Sequence, residues 1–104
     1  MSKLPNRYTK FFERYPELGN AYRSMGEAAL AAGPLDKKTI QLVKIGIAVG
    51  ARMEGGVRSH VRKAVEAGAT PEEIRHAVLQ ATTTVGFPTM MAGLAWVDEI
   101  LDEK

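Results

Sequence analysis

Residues 36–50, with the sequence DKKTIQLVKIGIAVG, contain the longest hydrophobic stretch of this 104-residue chain. Asp36 is a typical N-cap residue, and the pattern after it predicts a helix from about Lys37 to Arg52. Apolar side chains lie on most sides of this helix, at Ile40, Leu42, Val43, Ile45, Ile47 and Val49. Because a helix that is apolar all round is normally buried, we expect it to be the central helix of the fold.

The rest of the chain also predicts helices, because no segment alternates with the period of two that a strand requires. Further helices are predicted over residues 5–14, 16–32, about 56–67, 71–85 and 88–101, with an interruption at Gly55-Gly56. Gly68 suits the C′ position that ends one of them, and Thr70-Pro71-Glu72-Glu73 has the pattern of a capping box that starts the next. The 71–85 helix is expected to bury its apolar residues as far as Val85. The sequence thus predicts an all-α fold of five to six helices.

The composition indicates one globular domain over residues 1–104, in which residues 1–15 form a peripheral N-terminal helix. The chain is 45% hydrophobic, carries a formal net charge of +2 and has no cysteine, which excludes disulfides and thiolate chemistry. A chain this short buries only about two-thirds of its unfolded surface, so a homo-oligomer is expected. The absence of an apolar run of about 20 residues and of a signal-peptide pattern predicts a cytoplasmic protein without a membrane span. The scattered basic residues predict a solvated surface rather than a nucleic-acid interface.

Two histidines are present, and only one of them lies in a suggestive position. His76 has neighbours of mixed character, which favours a structural or surface role. His60 lies three residues after Val57 and four before Ala64, on the apolar stripe of its helix, which also includes Val61 and Val65. It is therefore expected to point inward or into an interface, either as a structural histidine bonded to a carbonyl or as a general acid or base.

Charged residues around His60 also allow two interpretations. Arg58 and Arg62 lie on the other side of the same helix, and Glu54 precedes Arg58 by four residues, which favours a surface salt bridge. Alternatively, Arg58 fixes a substrate carboxylate while His60 moves a proton. No metal-ligand spacing, phosphate-binding glycine motif or nucleophile elbow is present, so neither a metal nor a cofactor is expected.

Several segments together resemble the carboxymuconolactone decarboxylase family, over about residues 16–101. They are residues 35–39 (LDKKT), residues 57–64 (VRSHVRKA), residues 67–74 (AGATPEEI) and residues 86–88 (GFP). The resemblance implies an all-helical fold and assembly into trimers or hexamers with sites near subunit contacts. Of the two assemblies, a homohexamer is expected first and a trimer second.

The family has an AhpD-like branch whose thiol chemistry this chain lacks. That branch uses a C-x-x-C pair, a histidine four residues later and an upstream glutamate as proton relay. In this sequence the cysteine positions fall on Met53 and Gly56, the histidine on His60 and the glutamate on Gln41. Peroxidase chemistry needs a thiolate to attack the peroxide oxygen, so that reaction is excluded here.

The cysteine-free branch resembles 4-carboxymuconolactone decarboxylase, and Arg58-Ser59-His60-Val61-Arg62 with Glu54 fits its pattern. The resemblance implies a cofactor-free lyase or proton-transfer enzyme acting on a small lactone or carboxylic acid. His60 would be the acid or base, with Arg58 and Glu54 in support. The alternative is an oligomeric binding or scaffold protein that kept the fold and lost the chemistry.

Overall fold

The computed structural model describes residues 6–103, and its helices confirm the predicted all-α class. The elements are α1 (Asn6–Arg14), α2 (Pro16–Ala31), α3 (Lys37–Gly50), α4 (Glu54–Glu66), α5 (Pro71–Leu79), a 3₁₀-helix (Gln80–Thr83) and α6 (Phe87–Leu101). Within residues 6–103 there is no strand. Residues 1–5, the beginning of the predicted N-terminal helix segment, lie outside the described residues. The chain divides into two compact units, residues 1–35 and 36–104.

The first unit is a helical pair held by aromatic side chains. Gly19 on α2 is buried, and a Cβ at this position would overlap the Phe12 ring of α1. The guanidinium carbon of Arg23 lies 4.1 Å from the centre of the same ring, a cation–π contact. Two apolar side chains at helical spacing on α2, Leu18 and Met25, are 60% and 65% exposed. The apolar stripe of α2 is therefore largely uncovered in this chain.

The second unit contains the hydrophobic core, to which α3, α4, α5 and α6 all contribute. Its fully buried side chains are Ile45, Val49, Val57, Val61, Ala64, Ile74, Val78 and Val97. The expectation that α3 is buried all round is correct for one face only. Ile45 and Val49 are completely buried, whereas Val43 and Ile47 on the other side are 47% and 65% exposed. Within this unit, one face of α3 thus remains open.

The turn between α3 and α4 lies three residues before the position that the sequence indicated. The amide N–H groups of Arg52 and Met53 donate to the carbonyls of Val49 and Ala48, which closes the end of α3. Arg52 has a φ of 56°, a left-handed conformation that usually belongs to glycine. The predicted interruption at Gly55-Gly56 is wrong, because both glycines lie in the first turn of α4.

The end of α4 and the start of α5 follow the sequence prediction. Gly68 has a φ of +95°, and the N–H of Ala69 donates to the Ala64 carbonyl, as expected for a helix closed by a glycine at C′. The predicted capping box is present: the Glu73 N–H donates to the Thr70 hydroxyl, and the Thr70 N–H donates to the Glu73 carboxylate.

The predicted helix over residues 71–85 is shorter in the structure. Regular α-helix ends at Leu79, and a 3₁₀ turn follows over Gln80–Thr83. Thr82 and Thr84 donate their hydroxyl protons to the carbonyls of Leu79 and Gln80, so side chains compete with the helical hydrogen bonds there. As a consequence Val85, which was expected to be buried, is 47% exposed.

Helix α6 lies against the core through a glycine. A Cβ added at Gly93 would lie 2.8 Å from Cγ1 of Val49 and 3.2 Å from Cγ1 of Val78. Both valines are fully buried and belong to α3 and α5, so neither valine side chain has room to move away from an added Cβ. The missing side chain at Gly93 therefore sets how closely α6 approaches the other helices.

We expect Gly93→Ala to destabilise the protein although alanine is the better helix former. The overpacking costs about 1–3 kcal/mol, which exceeds the gain of about 1 kcal/mol in helix propensity. Urea unfolding followed by circular dichroism measures the difference. Gly55→Ala is the matched control, since a Cβ at Gly55 meets no atom within 4 Å. Equal stability of the two variants would contradict the close approach described here.

Candidate functional site

His60 is held by a side chain on the neighbouring helix. Its Nδ1 lies 2.8 Å from Oε1 of Gln41 on α3, and both side chains are partly buried. The two helices run in opposite directions, because a Cβ added at Gly56 near the start of α4 would lie 3.5 Å from the Ala48 Cβ near the end of α3, whereas His60 meets Gln41 further back. The hydrogen bond thus joins the middle of α4 to the first half of α3.

The hydrogen bond fixes the protonation pattern of the ring. Because Gln41 presents a carbonyl oxygen, Nδ1 of His60 carries the proton and donates it to Oε1. In the neutral imidazole the lone pair then lies on Nε2. His60 is therefore a histidine whose Nε2 can accept a proton from a bound molecule, or return one to it after being charged.

The surroundings of His60 favour the neutral ring. Burial lowers the pKa of His60 from 6.5 to about 4, and the positive charges of Lys63 and Lys44 act in the same direction. A glutamate at the position of Gln41 would oppose this effect by stabilising the imidazolium. The amide of Gln41 has no charge, so it orients the ring without favouring the charged form.

Arg58 and Glu54 are brought together, but they lie away from His60. Nε of Arg58 donates to Glu99 on α6 over 2.7 Å, and its terminal nitrogen donates to Glu54 over 3.3 Å. The bond to Glu99 is the main reason why the pKa of Arg58 is raised. Residues two apart on a helix point to opposite sides. Accordingly, none of the hydrogen bonds and ion pairs among residues 6–103 joins Arg58 to His60.

The same face of α4 forms a row of ion pairs with α6 and the residues just after it. Arg62 lies 3.8 Å from Glu103, one turn further along from the Arg58–Glu99 pair. Glu54 and Glu99 are 57% and 55% exposed, so each pair contributes only about 0–1 kcal/mol. These arginines therefore fasten α4 to α6 on the side opposite His60.

A shallow apolar groove lies elsewhere in this unit. It has a volume of about 470 Å³ between the exposed face of α3 and the segment from α5 to Val85. Its lining residues are Thr39, Leu42, Val43, Gly46, Ile47, Gly50, Ala77, Gln80, Ala81, Thr84 and Val85. The lining includes neither His60 nor any ionisable side chain. This groove and the Gln41–His60 pair are separate features of α3.

Sequence reasoning missed three residues around His60. Gln41 was noticed only as the position of an absent glutamate, and Lys44 and Lys63 were not considered. Each lysine follows a member of the bonded pair by three residues, which places it on the same helix face one turn away. That spacing can be read from the sequence. It places the lysines near His60 only once the structure shows that Gln41 and His60 are paired.

Among the residues that the structure describes, no group of three or more histidines and carboxylates is placed to hold a metal ion. None of the helices in this part of the chain combines the length and the hydrophobicity that crossing a membrane requires.

Comparisons with known proteins place these features in a family. Residues 16–99 match the model of the carboxymuconolactone decarboxylase family. A curated relative, an uncharacterized protein of Haemophilus influenzae, is 32% identical over 63 residues, which are 61% of this chain and 56% of the relative. The match thus spans little more than half the length of that relative.

Solved structures agree with the family match. A carboxymuconolactone decarboxylase family protein from Legionella pneumophila, in its apo form, is 29% identical with a TM-score of 0.83, over 92% of this chain and 86% of its own. A protein from Burkholderia xenovorans, named as a carboxymuconolactone decarboxylase, shares the fold with a TM-score of 0.76 at 22% identity, over 96% of this chain and 81% of its own. The chain therefore belongs to the carboxymuconolactone decarboxylase family.

Proposed function

We propose that this protein is a cofactor-free carboxy-lyase, or a related proton-transfer enzyme, that acts on a small lactone or carboxylic acid with His60 as acid and base. One observation carries the proposal. His60 is partly buried, its Nδ1 is engaged by Gln41, and its Nε2 is left for a proton that belongs to a ligand. Family membership supports the reaction class.

The proposed reaction needs one proton in the right place. The bond between the substrate carbon and its carboxylate breaks, CO₂ leaves, and the electron pair passes into the adjacent lactone carbonyl. The carbon then takes a proton from Nε2 of the charged His60, and the neutral ring is recharged from solvent. His60 is neutral in the empty site, so the negative charge of the bound acid must raise its pKa before it can donate.

Glu54 and Arg58 support the site at a distance in this proposal. Their contacts hold α4 to α6 through Glu99 and leave His60 facing the opposite direction. Loss of these ion pairs would let α4 shift and would loosen the position of His60. They are therefore proposed as positioning residues rather than as groups that touch the substrate.

The AhpD-like thiol reaction does not belong to this proposal. The two positions of its cysteine pair hold Met53 and Gly56, a thioether and a bare backbone, in the first turns around the start of α4. Neither residue forms a thiolate, which is the nucleophile that the reaction requires.

A binding or scaffold protein on the same fold is the alternative function. The observation in its favour is that the apolar groove of about 470 Å³ does not include His60. In this alternative the groove serves assembly or ligand binding, and His60 has a structural role only.

We also propose that the protein is a homohexamer, with a trimer as the alternative. The open face of α3 supports this, because Val43 and Ile47 are exposed at helical spacing beside the groove. Apolar surface of this kind gains stability when a second copy covers it.

Turnover of 4-carboxymuconolactone, followed by ultraviolet absorbance, tests the proposed reaction. We expect His60→Ala to lower kcat by about 10²–10⁴, the range that one general acid or base supplies. His76→Ala is the matched control and is expected to retain activity, since His76 lies on the exposed surface of α5. Full activity of a folded His60→Ala variant would exclude the proposed role. Absence of turnover by the folded wild-type oligomer would exclude this substrate and favour the scaffold alternative.

The environment of His60 also predicts how stability depends on pH. Because the pKa is about 4 in the folded protein and about 6.5 when unfolded, the unfolded chain binds more protons between these values. The contribution of His60 to folding stability is therefore complete above pH 6.5. It decreases as the pH falls to 4, by about 1–3 kcal/mol for this partly buried group. We expect His60→Gln to lack this component in urea unfolding across the same pH range, and His76→Gln to keep it. An identical pH dependence of wild type and His60→Gln would contradict the neutral environment.

A charge on the open face of α3 tests the proposed assembly. We expect Ile47→Asp to reduce the mass measured by light scattering to a smaller assembly or a single chain, because the carboxylate must be buried at the contact. Val65→Asp is the matched control, since Val65 is also exposed but lies on α4 outside the groove. An unchanged mass for Ile47→Asp would show that this face is not the contact between copies.

A further inference from the structure

The cations of this unit fall into two groups. The first group is held in ion pairs with carboxylates: Lys38 with Glu73, Arg58 with Glu54 and Glu99, Arg62 with Glu103, and Arg75 with Asp98 and Asp102. The second group takes part in none of the ion pairs among residues 6–103, and it consists of Lys37, Lys44, Arg52 and Lys63. Of these four, Lys44 and Lys63 are the cations whose charge acts on His60.

The helix geometry places the two lysines on either side of the histidine ring. Lys44 lies three residues beyond Gln41, and Lys63 lies three residues beyond His60, about 4.5 Å along each helix axis. Since α3 and α4 run in opposite directions, these steps lead away from the Gln41–His60 bond toward opposite ends. Lys44 is partly buried and Lys63 is exposed. Long, flexible lysine side chains from both positions can reach a group placed beside the ring.

Within the described residues, the charges that act on the His60 ring come from lysines. The charged groups that act on His60 are Lys44 from α3 and Lys63 from α4. The described carboxylates of α5 and α6 that form ion pairs lie with other cations, Glu73 with Lys38, Asp98 with Arg75 and Glu99 with Arg58. The two lysines and the partly buried imidazole thus form a positively charged cluster, whose lysines take part in none of the ion pairs among residues 6–103.

We propose that Lys44 and Lys63 form, beside His60, a binding site for the carboxylate of a small organic acid. The inference rests on the proposed function in placing the substrate against His60, and it names the groups that hold the acid there. It also assigns this task to residues other than Arg58, whose guanidinium already donates to two glutamates.

The proposed site couples binding of the acid to protonation of His60. A carboxylate between the lysines cancels their charge at the ring, so it favours the imidazolium that they otherwise oppose. Binding of the acid then charges His60 at Nε2, where the proton is needed for donation to carbon. By the same linkage, the acid binds more tightly to the charged than to the neutral histidine.

Titration of His60 by NMR, with succinate as the probe, tests the site. The ring resonances are followed from pH 3 to 8 in the His76→Gln background, which leaves a single histidine. We expect saturating succinate to raise the pKa of His60 by about one unit, which means about tenfold tighter binding to the charged form. Succinamide, which has the same length without the charges, is expected to leave the pKa unchanged, and sodium chloride at equal ionic strength controls for screening.

Lysine variants test whether Lys44 and Lys63 are the residues that bind succinate and lower the pKa of His60. Lys44→Gln and Lys63→Gln are each expected to weaken succinate binding by about fivefold or more, and to raise the pKa of His60 in the absence of succinate. Lys37→Gln is the matched control, because it removes an exposed lysine from the start of the same helix α3. An equal effect of Lys37→Gln, or an equal pKa of His60 in succinate and in sodium chloride, would overturn the proposal.

The titration of His60 tests the binding site independently of enzymatic turnover. A shift of the His60 pKa with succinate, without decarboxylation of 4-carboxymuconolactone, would support the site and contradict the proposed reaction on that substrate. Turnover that depends on His60, without a shift, would support the reaction and overturn the site.

Discussion

The close packing of α6 against α3 and α5 is the constraint on which the second unit depends. It is possible because Gly93 has no side chain where Val49 and Val78 approach. Once these helices are in contact, α4 packs into the same core through Val57 and Val61, both fully buried. The core therefore fixes the register between α3 and α4, and this register brings Gln41 to His60. The Gln41–His60 hydrogen bond at the edge of the core therefore depends on the apolar packing at the centre of the core.

The Gln41–His60 bond stands where the thiol branch of the family has a glutamate beside the histidine. A glutamate beside the histidine would favour the imidazolium and pass protons between the two groups. Gln41 keeps the orientation of the ring without adding a negative charge, and burial with two nearby lysines keeps the ring neutral. The replacements at Gln41, Met53 and Gly56 are therefore consistent with each other. They remove the thiols and the relay together, and they leave a partly buried histidine whose pKa is lowered.

The helices were predictable from the sequence because their ends carry local signals. Asp36 accepts a hydrogen bond from the Thr39 amide, Thr70 and Glu73 form the capping box, and Gly68 ends α4, each through residues close together in the chain. The turn at Arg52 was not predictable in this way. A left-handed arginine has no sequence signal, and two glycines stood nearby to suggest a break in the wrong place. The exposed face of α3 was also missed, because an apolar pattern shows which residues favour burial but not whether one chain suffices to bury them.

The candidate site was predictable only in part, for a physical reason. His60 was recognised from its place on an apolar stripe, a property of one helix. The partners of Arg58 and His60 depend on which helix lies on which side of α4, a property of the tertiary structure. In the structure the arginines of α4 face the carboxylates of α6, so they are neutralised by the protein itself. The partner of His60 on α3 is the amide of Gln41 instead of a carboxylate, and Lys44 on α3 and Lys63 on α4 take part in none of the ion pairs among residues 6–103. The paired arginines thus lie on the side of α4 opposite His60, whereas the lysines of the proposed acid site follow Gln41 and His60 by one helical turn on α3 and α4.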